Sequence, residues 1–225
     1  MPDREAMTHL KKPPENKTET EKTIIASAEK LFYLRGKAGT SMQDIADDAG
    51  INRTLLNYYF RTKDQLFEAV FRNALSSFVP SLVEVMRSDQ SLDAYVHQLI
   101  ETVITAMLEK PQIPSFVLHE LSSNPQRMPQ IMREMGVDPG YAIEKMHGEG
   151  VGEVFLEPRQ LIINLLSLCV FPFAARPVIV EILYGGDQEA YVAAMEERKI
   201  LLPALVGQFI GMSKKQGNEQ QPPTP

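Results

Sequence analysis

Read by hydrophobic period alone, the chain is helical from about residue 20 to about residue 210. Ile24, Ala28, Leu31 and Phe32 recur at i, i+4, i+7 and i+8, which predicts a first helix over about Thr20–Arg35. Gly36 is placed to end it. Met42, Ile45, Ala46 and Ala49 form one stripe on a short second helix, with Ser41 as its cap, Asp44 three residues on, and Gly50 as its end. A third short helix starts at Asn52 and stops near Tyr58–Phe60. Thr62 with Gln65 has capping-box form and opens a longer helix that buries Leu66, Phe67, Val70 and Phe71. Pro80 predicts a kink there or a break just before it.

Further helices are predicted from Ser91 to Glu109, near Ser115–Ser123 and near Pro129–Met135, with a short one at Tyr141–His147. The segment "GEGVGE" reads as a flexible corner. Glu157-Pro158 opens a helix to about Phe171, and the last long one covers Asp187 to about Ile210, with Pro203 inside it. No strand-type alternation is sustained and no repeat recurs at a fixed period. The ends, 1–17 and 213–225, are polar and read as unstructured tails.

The third helix changes the picture. "INRTLLNYYF", residues 51–60, packs Asn52, Arg53, Thr54, Asn57, Tyr58 and Tyr59 into about two turns. Two short helices around one Gly-containing turn, the second polar on its outer face, read as a helix-turn-helix. Leu56 and Phe60 hold the helix to its domain and leave the polar side chains for DNA. Arg suits guanine, Asn suits adenine, and Tyr hydroxyls and Lys63 suit phosphate oxygens. Net charge is −6 over 225 residues, but residues 1–75 hold 12 Lys+Arg against 11 Asp+Glu, and residues 76–225 hold 11 against 18. The acidity therefore belongs to the C-terminal two-thirds and does not exclude a DNA-facing head.

The stretch "LFYLRGKAGTSMQDIADDAGINRTLLNYYFRTKDQLF", Leu31–Phe67, resembles the DNA-binding domain of the tetracycline-repressor (TetR) family. The shared pattern runs over roughly Lys22–Phe71: Phe32…Gly36, Thr40-Ser41, Ile45-Ala46, Ala49-Gly50-Ile51, Tyr58-Tyr59-Phe60 and Lys63…Leu66. Asn57 departs from it, standing where the family usually has an aromatic residue, and Leu55 stands where a small or hydroxyl residue is common. Asn57 is thus placed to read a base, and Leu55 to touch a thymine methyl. The resemblance implies an all-α protein, with a three-helix helix-turn-helix domain over 18–66 and a helical ligand-binding and dimerisation domain over 67–212. It implies a homodimeric repressor on a palindromic double-stranded DNA operator, released by a small, largely apolar effector. It places Thr40, Asn52, Arg53, Thr54, Tyr58, Tyr59 and Lys63 at DNA-facing positions, to which Ser41 and Asn57 are added from the residues.

The remaining two-thirds carries no such motif. Its Met and Phe residues suit an adaptable apolar pocket, with core packing as the alternative. Met107, Phe116, Met132, Met135 and Cys169, with His119, are the pocket candidates. Leu161–Phe171 and Ala190–Phe209 are the dimer-bundle candidates. His97, His119 and His147 are too scattered for a metal site, and no phosphate loop or nucleophile motif is present, so neither a cofactor nor an enzymatic activity is expected. The single cysteine, Cys169, and an N-terminus without an apolar core point to a reducing cytoplasm. The most apolar run, Leu161–Ala175, has 15 residues and falls short of the ~20 a membrane span needs. A helical adaptor that binds protein through 161–209 and never touches DNA is the competing function.

Overall fold

The computed structural model describes residues 15–149 and 157–219, and among these every regular element is a helix. Twelve are present there: α1 (Glu15–Arg35), α2 (Met42–Asp48), α3 (Arg53–Tyr59), α4 (Lys63–Ser76), α5 (Val79–Arg87) and α6 (Leu92–Glu109). They are followed by α7 (Ile113–Ser123), α8 (Arg127–Glu134), α9 (Pro139–Gly148), α10 (Pro158–Ala174), α11 (Arg176–Tyr184) and α12 (Gln188–Glu219). The chain divides into two compact units at Asn73/Ala74, inside α4.

In the first unit, α2 and α3 are too short to hold themselves together and depend on caps and packing. Ser41 caps α2 by a full capping box. Its hydroxyl accepts from the Asp44 N–H (3.1 Å), and the Asp44 carboxylate accepts from the Ser41 N–H (2.8 Å). At the other end Gly50, at φ +66°, reverses the chain. The Ile51 N–H donates to the Ala46 carbonyl (3.0 Å) and the Gly50 N–H to that of Asp47 (3.2 Å), the paired bonds of a Schellman close. The Asn52 side chain then caps α3 by accepting from the Leu55 N–H at 2.8 Å. Inside, Ile24, Ala28, Phe32, Ile45, Ala46, Leu56 and Phe67 are almost fully buried, and the Phe32 and Phe67 rings meet edge-to-face at 5.1 Å.

In the second unit, α6 runs through the core. Tyr95, Val96, Ile100, Val103, Ile104 and Met107 are all buried on it, and it packs against α5, α10 and α12. Pro80 sits in the first turn of α5, so the α4–α5 pattern is broken before it rather than kinked.

Two elements differ from expectation. Helix α11, residues "RPVIVEILY", was not foreseen; its β-branched residues lower helix propensity, yet Pro177 at its start and Gly185 at its end (φ +57°) delimit it. Helix α12 continues to Glu219, so the polar segment from Ser213 extends it where a tail was expected. Lys and Gln are good helix formers, and an existing helix adds one hydrogen bond per residue. The expected tails at 1–14 and 220–225, and most of the "GEGVGE" corner, lie outside the described residues. Among the described residues no single helix is long and apolar enough to cross a membrane; α10 and α11 pass only as a pair, bent by 77°.

Replacing Gly50 with Ala tests the turn. A Cβ there meets nothing within 4 Å, so the cost is that of the left-handed backbone alone, about 1–2 kcal/mol in urea unfolding. Gly50→Asn should cost less than Gly50→Ala, and equal costs would indicate that the turn relaxes instead.

Candidate nucleic-acid interface

Helix α3 divides cleanly by burial. Leu56 is 0% exposed and the capping residue Phe60 is buried, which fixes the helix to the unit. Arg53, Thr54, Leu55, Asn57 and Tyr58 are exposed and Tyr59 is half-buried. Tyr58, 70% exposed, meets the Tyr59 ring edge-to-face at 5.5 Å. A seven-residue helix thus shows solvent a guanidinium, a hydroxyl, a carboxamide and a phenol, the side-chain types that pair with base edges and phosphates.

The other candidates serve partly as framework. Asn52 is exposed but its oxygen is committed to the α3 cap. Ser41 is exposed, and its hydroxyl also donates to the Asp44 carboxylate at 2.7 Å. These hydrogen bonds hold the Asp44 carboxyl below its ordinary pKa, and the Lys30 ammonium, 2.5 Å from Asp48, does the same for that group. Lys63 is half-buried. Its ammonium donates to the carbonyls of Lys37 (2.8 Å) and Thr40 (3.0 Å), and so ties the start of α4 to the turn before α2. Thr40 is a correction. It is 1% exposed, and its hydroxyl faces the Leu31 and Gly36 carbonyls at 3.2 and 2.9 Å, satisfying the end of α1. Its buried side chain is therefore part of the framework. Sequence reading also passed over Arg61, an exposed cation directly after the α3 cap, for which a Lys/Arg next to the polar helix would have been the signal.

The pocket candidates change more. The second unit holds a cavity of about 250 Å³ between α5, α6, α9 and α10. Cys169 lines it, but Met107, Phe116, His119, Met132 and Met135 do not. Met107 and Phe116 are buried in packing, His119 is exposed, and Met132 and Met135 are half-buried at α8 and its cap. The walls are instead Leu82, Met86, Tyr95, Leu99, Ile100, Val103, Val137, Pro139, Ala142, Met146, Ile162, Leu165 and Leu166. Burial pushes the Tyr95 phenol up to about 12 and the Cys169 thiol up to about 11. Among the described residues no group of His, Cys, Asp and Glu could hold a metal ion.

Residues 24–70, which include α2, the turn and α3, match the family model for bacterial regulatory proteins of the tetR family. By that DNA-binding domain, the chain belongs to the TetR family. Along most of its length it is 28% identical to the probable HTH-type transcriptional regulator YttP of Bacillus subtilis, over 84% of this chain and 95% of that one. A shorter match, 32% identical, covers 37% of this chain and 40% of the regulator TtgR of Pseudomonas putida. Two crystal structures share the fold. A TetR/AcrR-family regulator from Thermobifida fusca has a TM-score of 0.52 at 20% identity, over 69% of this chain and 84% of that one. A variant of the HlyIIR protein has 0.58 at 24%, over 80% and 97%.

The protein is thus a DNA-binding transcriptional regulator of the TetR family, with α2 and α3 as its helix-turn-helix. Its relatives are regulators rather than enzymes.

Thr40→Val should lower the stability of the DNA-binding unit by about 1–2 kcal/mol, because the buried hydroxyl proton shared between the Leu31 and Gly36 carbonyls is lost. Base preference at the operator should stay as it was; a changed preference would return Thr40 to the interface. The α2 cap should also respond to acid. The Asp44 pKa is lowered on folding, so the stabilisation is complete above the ordinary carboxylate range near ~4 and is lost as pH falls through the lowered value. Ser41→Ala should flatten that acid limb in unfolding curves measured against pH.

Proposed function

We propose that this TetR-family regulator is a homodimeric repressor that places two copies of α3 in successive major grooves of a palindromic operator, and that a small apolar effector releases it. The observation that carries the reading is the exposed row Arg53, Thr54, Asn57 and Tyr58 on a helix anchored by Leu56. Arg53 and Asn57 read bases, and Leu55, 37% exposed, meets a thymine methyl. Tyr58, Tyr59, Lys63 and Arg61 face phosphates. One head of seven residues reads few base pairs, and two heads ~34–36 Å apart read a two-fold site.

The dimer is supported by an apolar surface on the last helices. Ile163, Leu166 and Phe171 on α10, Val178, Ile182 and Leu183 on α11, and Ile200, Leu201 and Leu205 on α12 are all exposed. Such a concentration of large apolar side chains marks an interaction surface. It adds α11 to the two segments expected from sequence. The effector is supported by the cavity in the same unit. The expected domain boundary at 66/67 and the division into compact units at Asn73/Ala74 both fall within α4.

Selection from randomised duplex DNA tests the reading. An inverted repeat should emerge, with half-sites about one helical turn apart. Arg53→Ala and Asn57→Ala should each lower affinity by about 1–3 kcal/mol and relax preference at one position per half-site. Affinity should fall steeply with salt. Enrichment of no sequence at low salt would sink the proposal in favour of a protein-binding role.

A further inference from the structure

The α5–α6–α9–α10 cavity has an unusual polar inventory. No charged side chain lines it, and apart from thioethers its side chains supply two heteroatom groups, the Tyr95 hydroxyl and the Cys169 thiol. Tyr95 is 1% exposed, and among the described residues no group is hydrogen-bonded to its hydroxyl. Buried tyrosine hydroxyls usually have a partner, and an unmet donor in an apolar wall costs free energy. Two cations lie near the cavity without lining it: Lys145, whose ammonium lies 5.8 Å from the Tyr95 ring centroid and donates to the Ser88 carbonyl at 3.2 Å, and Arg198, which donates to the Leu168 carbonyl at 2.8 Å beside Cys169. Both charges are engaged with backbone oxygens, and neither side chain is part of the wall.

We infer that the cavity takes an uncharged, mainly hydrocarbon molecule with a single hydrogen-bond acceptor, such as a medium-chain ketone, which accepts from the Tyr95 hydroxyl. This rests on the proposed effector site and gives it a chemical class. Hydrocarbon fits the walls contributed by Leu99, Ile162 and Leu165. A carboxylate would be stripped of water with no lining cation to compensate it, which costs far more than burying a carbonyl that gains a hydrogen bond. The phenol and the thiol both stay protonated near neutral pH, so the wall presents a donor and no anion.

The test is calorimetric titration of the full chain with 2-octanone and with octanoate. The ketone should bind, and octanoate at least about tenfold more weakly, the factor that 1.4 kcal/mol represents. Tyr95→Phe should weaken the ketone about fivefold and leave octanoate unchanged, as loss of one hydrogen bond predicts. Ala142→Phe, which fills the cavity, should abolish ketone binding while the variant still melts cooperatively. Tighter binding of octanoate, no binding of either probe, or a Tyr95→Phe variant that binds the ketone as the parent does would each overturn the inference. Operator retention is read on the same samples. Ketone binding without DNA release sinks the effector reading and leaves the ligand class standing.

Discussion

A helix of seven residues has no stability of its own in water, and the function of this protein depends on how one such helix is held. Helix α3 survives because Asn52 satisfies the free N–H of Leu55 in its first turn and because Leu56 is fully buried beneath it. The Schellman close at Gly50 sets the direction in which α3 leaves α2. Lys63 and Thr40 act one layer further out. Together they bond carbonyls at the end of α1 and in the turn before α2. The exposed polar row is thus the visible part of a small framework in which most of the specific hydrogen bonds are spent on orientation.

The two units solve opposite problems. The first has to show polarity outward from a small core, and it does so with caps that consume side-chain oxygens. The second leaves an apolar cavity beside its core. Its core helix α6 supplies both packing residues, Val96 and Ile104, and cavity-lining residues, Leu99 and Val103. Ile100 and Val103 belong to both groups, so one stripe of α6 both packs the core and borders the cavity.

How far the sequence could be read follows from how local each signal is. Both caps of α2 and the start of α3 were legible to the residue, because Ser41, Asp44, Gly50 and Asn52 act on backbone groups within three or four positions of themselves. The framework role of Thr40 was not legible, because a threonine hydroxyl serves DNA or a carbonyl equally well and only the packed end of α1 brings it to the Leu31 and Gly36 carbonyls. Helix α11 was missed because nine residues rich in Val and Ile show no clean helical stripe. The cavity was the hardest. Soft residues such as Met107 and Met132 were reasonable guesses, yet a void forms where side chains from four distant helices stop short of one another. No single segment records that. Cys169 was found because it sits on the most apolar helix, which has to pass through the interior.

The division of labour on α3 bears on how such a protein changes over time. Arg53, Thr54 and Asn57 are exposed and, among the described residues, bonded to nothing within the chain, whereas Asn52 and Leu56 carry the fold. Substitution at exposed positions without structural duties usually shifts stability by no more than ~0.5 kcal/mol. If these side chains read the operator as proposed, the DNA sequence recognised is free to drift by single replacements that the folded protein barely registers. A gene duplicate could acquire a new operator without passing through an unstable intermediate.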